Sequence, residues 1–419
     1  MRLHLLLFCI LSAILAIAAN CTNTDTCAAC PATKGSLTFA AIANTAYTSP
    51  AGTTIASTDC ITQICVDSLN SCNASSNCST SLPAWNCMQS AFAPHGVALS
   101  SLFWINCWHG GGGYSGFAYS CFGPSSGITT TPVIIIQQYL DKPNPVGGKG
   151  VGIILWEYPW SNTTACENCG GNFPVQFQAV ACDVSWVMSG ALGFVPTTLG
   201  YYGPSWGGEL AFWAGNVPTR VYGASSTCLS PDARPAQSRT VSAWAQMSWF
   251  QPYNSSSYTN NGSANVITAL NGQFGTSTYA TGYTADLAAA ASPYLQITGA
   301  NLSQIQSNQQ MFQFTSTDQV VEPSWSGGGN MVVTVQQYQA LGITPMVVIY
   351  PDGPSGCNNY NSLGGHEICL GNLASPNTTM NDAFNFLLNV PGASGAGSFG
   401  SGVIALMFPE MLCAGVWLR

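Results

Sequence analysis

Charge is what this sequence has least of. Only 6% of its 419 residues are Asp, Glu, Lys or Arg, against roughly 25% in an average soluble domain. Eight Lys and Arg against sixteen Asp and Glu leave a net charge of -8. So few cations provide no basic stripe for neutralising phosphates, which excludes nucleic acid as a partner. Charge-driven disorder is excluded as well, because it needs low hydrophobicity and this chain is 47% hydrophobic. Histidine is scarce, with four residues in all. None is placed to complete Cys27-x-x-Cys30 or Cys166-x-x-Cys169 as a zinc set, so structural disulfides are expected there and no metal. With little charge to wet it, the surface is expected to rely on Ser, Thr, Asn, Gln, Gly and attached sugar.

The N-terminal apolar run, Leu5 to Ile17, is too short to span a bilayer. Arg2 before it and Ala16-Ile17-Ala18 after it complete a secretory signal over residues 1–18. Eight N-x-[S/T] sequons, beginning at Asn20, Asn73, Asn77, Asn162, Asn254, Asn261, Asn301 and Asn377, agree with a secreted glycoprotein. Of the cysteines, Cys21, Cys27, Cys30, Cys60, Cys65, Cys72, Cys78 and Cys87 crowd residues 19–95, which reads as a small stapled region. At the other end, small residues from Gly392 to Gly402 precede the apolar stretch Val403 to Leu418 within residues 392–419. A small-residue spacer and a hydrophobic tail are the ingredients of a GPI-anchor signal. Removing Cys9 with the leader and Cys413 with the tail takes 18 cysteines to an even 16. Pro409 and Glu410 interrupt the tail, and the alternative is a C-terminal helix packed on the core. Membrane association is expected through that anchor alone.

From Val97 onward short apolar runs alternate with longer mixed segments. Strands are expected at Val97 to Trp108, Val151 to Tyr158, Thr198 to Tyr202, Thr219 to Ala224, Gln310 to Thr315 and Thr344 to Tyr350. Helices are expected at Pro132 to Leu140, Pro174 to Met188, Gly207 to Gly215, Asn330 to Leu341 and Met380 to Leu388. That alternation predicts an α/β fold over residues 96–391, with a mainly parallel sheet covered by helices on both faces. Functional groups in such sheets collect at the carboxyl ends of the strands. Residues 229–308 break the rhythm and read as an inserted cap, with Trp244, Trp249, Phe250, Tyr253 and Tyr258 lining a cleft or packing the cap's own core.

Gly203-Pro204-Ser205-Trp206-Gly207-Gly208 is a G-x-S-x-G sequence between an expected strand and an expected helix. In that context a sharp turn lifts the serine Oγ above the sheet, and flanking glycines are needed because side chains would collide. The turn also aims the N–H of Trp206 at a developing negative charge. His109-Gly110-Gly111-Gly112-Gly113 follows the strand ending near Trp108 and would supply the N–H groups of Gly111 and Gly112 to the same oxyanion hole. His4 lies in the signal, His95 before the first core strand and His109 in the glycine loop, which leaves His366 as the base. In the order Ser, acid, His, the acid is Asp318, with Asp352 as its rival.

These motifs make the chain similar to the α/β-hydrolase superfamily, and most similar to its H-G-G-G carboxylesterase branch, the hormone-sensitive-lipase-like and feruloyl-esterase-like enzymes. The resemblance runs from about Val97 to Val390. Glu157-Tyr158-Pro159 stands where that branch often has E-Y-R or D-Y-R, and Asn172-Phe173-Pro174 leading to Asp183 is similar to its F-P-x-x-x-x-D helix. Asp318-x-x-Val321 with Pro323 and Gly365-His366 are similar to its acid and histidine segments. Pro204 departs from the His, Asp or Glu common before the serine. The resemblance implies a serine esterase that acts on a small-molecule or glycan-linked ester through an acyl-enzyme, with no cofactor. A serine peptidase of the prolyl-oligopeptidase type shares the chain order, and a non-catalytic adhesion or receptor module shares the fold. Cys107 and Cys121 bracket the glycine loop, and Cys357 and Cys369 bracket His366, so two disulfides are expected to brace the site.

Overall fold

The computed structural model describes residues 37–43, 47–48, 54–55, 60–66, 87–94, 97–110, 130–157, 180, 183–184, 187–188, 190, 192–217, 234–245, 247, 292–315, 330–350 and 378–388. Its strands are β1 (Leu37–Ala43), β2 (Tyr47–Thr48), β3 (Thr54–Ile55), β4 (Cys60–Val66), β5 (Cys87–Pro94), β6 (Phe103–Trp108), β7 (Val151–Glu157), β8 (Thr198–Pro204), β9 (Gln237–Ala243), β10 (Asn308–Thr315) and β11 (Met346–Tyr350). Its helices are α1 (Thr130–Tyr139), α2 (Trp206–Asn216), α3 (Leu302–Ser307), α4 (Asn330–Ala340) and α5 (Thr378–Leu388). Val180, Asp183, Val184, Val187 and Met188 are helical as well. None of the described helices is long and apolar enough to cross a membrane.

One nine-stranded sheet organises the molecule, in the order β1-β4-β5-β7-β6-β8-β9-β10-β11. From β7 to β11 every pairing is parallel. Three antiparallel strands, β5, β4 and β1, extend it on the β7 side. Alternation builds two apolar layers from single strands. Trp104 and Trp108 of β6 join one layer, while Phe103, Ile105 and Cys107 join the other. The period of two in the side-chain direction produces this split. The first layer receives α2, α4 and the helical residues Val180, Val184 and Val187. The second receives α1 through Ile135, Ile136 and Tyr139, and α5 through Met380, Phe384 and Leu387. Burial on both faces explains why Val151-Gly152-Ile153-Ile154-Leu155-Trp156 reads as an unbroken apolar run.

Two expectations need correction. Residues 19–95 were expected to form a region of their own, yet β1, β4 and β5 lie within that range and belong to the main sheet; the pairing of its cysteines lies outside what is described. The segment 229–308 was expected as a cap, but it contains β9, which sits between β8 and β10 at the heart of the sheet, and α3, which packs beside α2 and β10. Trp244, expected either to line a cleft or to pack a core, is 1% exposed and packs in the sheet's core layer with Val241 and Met311. The other cap aromatics and the expected strand Thr219 to Ala224 lie outside the described residues.

The Asn301 sequon also changes meaning. Asn301 is buried, and its Nδ2 donates to the carbonyl of Gln296 at 2.7 Å. A glycan on that nitrogen would have to replace one of its two hydrogens at a buried side chain, where the fold leaves no room for a sugar. Glycopeptide mass spectrometry of the protein expressed in a glycosylating host is therefore expected to find Asn301 unmodified, and an occupied Asn301 would contradict this packing.

Candidate active site

The sheet itself marks a crevice. β6 is followed by α1, which lies on one face and leads back to β7; β8, on the other side of β6, is followed by α2 on the opposite face. Adjacent parallel strands whose connections leave to opposite faces open a crevice at their carboxyl ends, where α/β proteins bind ligands. The residues leaving β6 are His109 and Gly110, and the residue leaving β8 is Ser205.

Ser205 sits between the last residue of β8 and the first residue of α2, with φ 53° and ψ -122°. Left-handed backbone at a residue with a Cβ costs of order 1–3 kcal/mol and persists only where its surroundings enforce it. Here the enforcement is visible. The Ser205 N–H donates to the carbonyl of Ala243 on β9 at 2.7 Å, and the Ser205 carbonyl accepts from Gly208 N–H at 3.0 Å. Two glycines make the turn sterically feasible. A Cβ on Gly203 would overlap the carbonyl of Gly207, and a Cβ on Gly207 would overlap the carbonyl of Trp108. The second contact sets the start of α2 against the exit of β6. Trp206 opens α2, where backbone N–H groups point out of the helical ladder towards an incoming anion.

The exit of β6 is held just as closely. His109 is 3% exposed, and its Nδ1–H donates to the carbonyl of Gly110 at 2.8 Å. Trp108 is fully buried, and its indole N–H donates to Oδ2 of Asp183 at 3.0 Å. Helix α2 has charge of the right sign at each end. Buried Glu209 lies in its first turn, and Arg234 donates to the carbonyls of Ala214 and Val217 at its last. Both placements oppose the helix dipole favourably.

Of the residues singled out in the sequence, Ser205 and Trp206 lie at the crevice. The structure brings the first residues of the glycine loop, His109 and Gly110, against the same turn. Gly111, Gly112, Asp318, Asp352 and His366 lie outside the described residues, as do Cys121, Cys357 and Cys369; Cys107 is buried in the core layer beneath β6. Among the described residues, no group of three His, Cys, Asp or Glu side chains is arranged to hold a metal. One feature of the crevice escaped sequence reading. Trp244 follows Ala243 with φ 51°, and its N–H donates to the carbonyl of Gln313 on β10 at 2.7 Å. Ser205 and Trp244 are the two non-glycine residues with positive φ among those described, and they end neighbouring strands. No sequence signal marks a tryptophan for that conformation.

Asp183 carries a pH signature. Burial pushes its carboxyl well above the ordinary carboxylate range, opposed in part by the hydrogen bond from Trp108. A raised folded-state value means that stability from this group is full below about pH 4 and is lost as pH rises towards the folded value, since the unfolded chain releases the proton first. Relative to Asp183→Asn, the wild type is expected to lose about 1.4 kcal/mol per pH unit across that window. Chemical denaturation of both proteins at pH 5, 6 and 7 checks this; parallel pH profiles would contradict it.

The sequence matches no family model and no curated protein. It is similar to solved structures at low identity. One is a truncated carbohydrate esterase from gut microbiota, at 14% identity over 72% of this chain and 89% of that one, with a TM-score of 0.45. A second is esterase B from Lactobacillus rhamnosis, inhibited by a tributyrin phosphonate, at 12% identity over 72% and 80% of the two chains, with a TM-score of 0.42. A third is the acylaminoacyl peptidase of Pyrococcus horikoshii, at 12% identity over 71% of this chain and 39% of that one, with a TM-score of 0.42. At these values the functional reading rests on the chain's own crevice and turn.

Proposed function

We propose that the chain is an α/β-hydrolase acting as a serine hydrolase of carboxylic esters, with Ser205 as nucleophile. The observation that carries this reading is the strained backbone of Ser205 at a strand-to-helix junction, pressed against the start of a glycine loop at the sheet's switch point. A module that merely reused the fold would gain nothing from holding a serine in that conformation at a cost of order 1–3 kcal/mol. This favours an enzyme over an adhesion or receptor module.

In the proposed mechanism Ser205 Oγ attacks the ester carbonyl carbon while His366 accepts the hydroxyl proton. Asp318 follows β10 and fixes the histidine tautomer; Asp352, which follows β11, is its alternative. The N–H groups of Trp206, Gly111 and Gly112 stabilise the oxyanion. His366 returns the proton to the leaving alcohol, and water repeats the sequence on the acyl-enzyme. The motifs supply every group this chemistry needs without a metal or organic cofactor. We also propose that the protein is secreted and glycosylated, and held at the cell surface if the tail serves as a GPI signal. Its substrate would be a small-molecule or glycan-linked ester, a class consistent with the low charge of the chain.

The test is a nitrophenyl ester series of increasing acyl length with the full glycosylated protein, beside a matching anilide. Hydrolysis of esters with little turnover of the anilide supports the esterase. Comparable anilide turnover would move the assignment to a peptidase.

A further inference from the structure

We propose that Asp183 is a positioning residue for this reaction: by accepting the indole N–H of Trp108, it fixes the stem of the glycine loop against the nucleophile turn. The proposal rests on the hydrolase reading above.

Two constraints meet in Trp108, the last residue of β6. Its Nε1–H donates to Asp183 Oδ2 at 3.0 Å, and its carbonyl oxygen seats against Gly207 in the first turn of the nucleophile helix. The next residue, His109, closes onto the Gly110 carbonyl, and Gly111 follows it in the chain. A rotation of the Trp108 backbone would therefore move the loop's first peptides and the floor of the Ser205 turn together. Packing alone does not require a carboxyl there. Trp108 lies in an apolar layer with Val180, Val184, Tyr201 and Leu210, and Asp183 is 0% exposed. Replacing both partners by apolar groups of matching shape is close to neutral in such a setting, whereas a buried carboxyl is expensive. Asp183 Oδ1, moreover, has no hydrogen-bond partner among the described residues. A costly polar pair placed at the base of the oxyanion loop is what a positional constraint looks like. Burial works against a charge on this carboxyl, and the contact it makes with Trp108 is a geometric one.

That last point makes the test selective. The wild type, Asp183→Asn, Asp183→Ala, Trp108→Phe and the double variant Asp183→Ala/Trp108→Phe are compared on a nitrophenyl butyrate, with kcat and KM separated and Tm recorded. Asparagine keeps an oxygen that can accept the indole N–H, so Asp183→Asn is expected to stay within about threefold of wild-type kcat. Asp183→Ala and Trp108→Phe are expected to lower kcat roughly 10–100-fold with KM within about threefold, the size of penalty that a misplacement of up to an ångström produces. The double variant is expected to be no worse than the worse single one, because both remove the same bond. Wild-type kcat in folded Asp183→Ala and Trp108→Phe would overturn the proposal, as would a loss confined to KM or an Asp183→Asn as damaged as the alanine. If Asp183→Ala does not fold, Trp108→Phe and Asp183→Asn decide alone. A wild type that hydrolyses no ester and takes no fluorophosphonate would overturn the hydrolase reading itself, and this proposal with it.

Discussion

Replacing Ser205 is expected to separate activity from stability. Ser205→Ala removes the nucleophile and should lower kcat about 10⁴–10⁶-fold, the range seen when a serine nucleophile is deleted. Alanine keeps a Cβ in the same left-handed conformation, so its stability should match the wild type within about 0.5 kcal/mol. Ser205→Gly should be equally inactive and yet more stable. Relief of the strain returns about 1–3 kcal/mol, and glycine's extra freedom in the unfolded chain takes back about 0.5–1 kcal/mol. The net gain of roughly 1 kcal/mol would raise Tm by about 1–2 °C in a domain of this size. Kinetics together with thermal melts of the three proteins check both halves. A Ser205→Gly variant less stable than Ser205→Ala would mean that the turn is not strained, and retained activity in either would remove Ser205 from the chemistry.

Gly207→Ala should damage both the fold of the turn and the reaction. Its Cβ would overlap the Trp108 carbonyl, a backbone atom that cannot rotate away, so the turn and the glycine loop must part. Overpacking of this kind costs about 1–3 kcal/mol. A shift of an ångström between nucleophile and oxyanion donors costs about 10²-fold in rate. The expected result is a folded protein with Tm lowered by several degrees and kcat lowered by about two orders of magnitude. Gly299→Ala is the control, because a Cβ there meets nothing within 4 Å and Gly299 lies away from the crevice; it should leave kcat and Tm as they are. Equal kcat in Gly207→Ala and wild type would show that the two loops are not coupled through this contact.

Much of this was legible in the sequence, and the exceptions have physical causes. β6, β7, β8 and β11 announce themselves through short, mostly apolar runs, and β10 through Met311, Phe312 and Phe314. β9 does not, although it is equally central. Its sequence, Gln237-Ser238-Arg239-Thr240-Val241-Ser242-Ala243, buries Ser238, Thr240 and Ser242 by hydrogen-bonding them to other side chains. Ser238 and Thr240 both donate to Asn308 Oδ1, and Ser242 Oγ accepts from Gln310 Nε2. Asn216 and Tyr338 complete the network. Polar satisfaction across four elements replaces hydrophobicity, and no local pattern reports a partner 68 residues away. β1, β4 and β5 were obscured differently: cysteine spacing dominated their reading, while their edge-to-edge pairing is a long-range property. At the site, the nucleophile turn was readable because its chemistry demands glycines at fixed offsets. The left-handed Trp244 and the bond between Asp183 and Trp108 demand no such spacing, since each depends on what the fold brings alongside.

The central claim is that Ser205 is a nucleophile facing a preformed oxyanion site, and one labelling experiment addresses it most directly. The full glycosylated protein is treated with a fluorophosphonate and the adduct is located by peptide mass spectrometry. The account predicts a single phosphonylated residue, Ser205, with labelling slowed by a competing ester. A native protein that takes no label, or takes it at another residue, would contradict it.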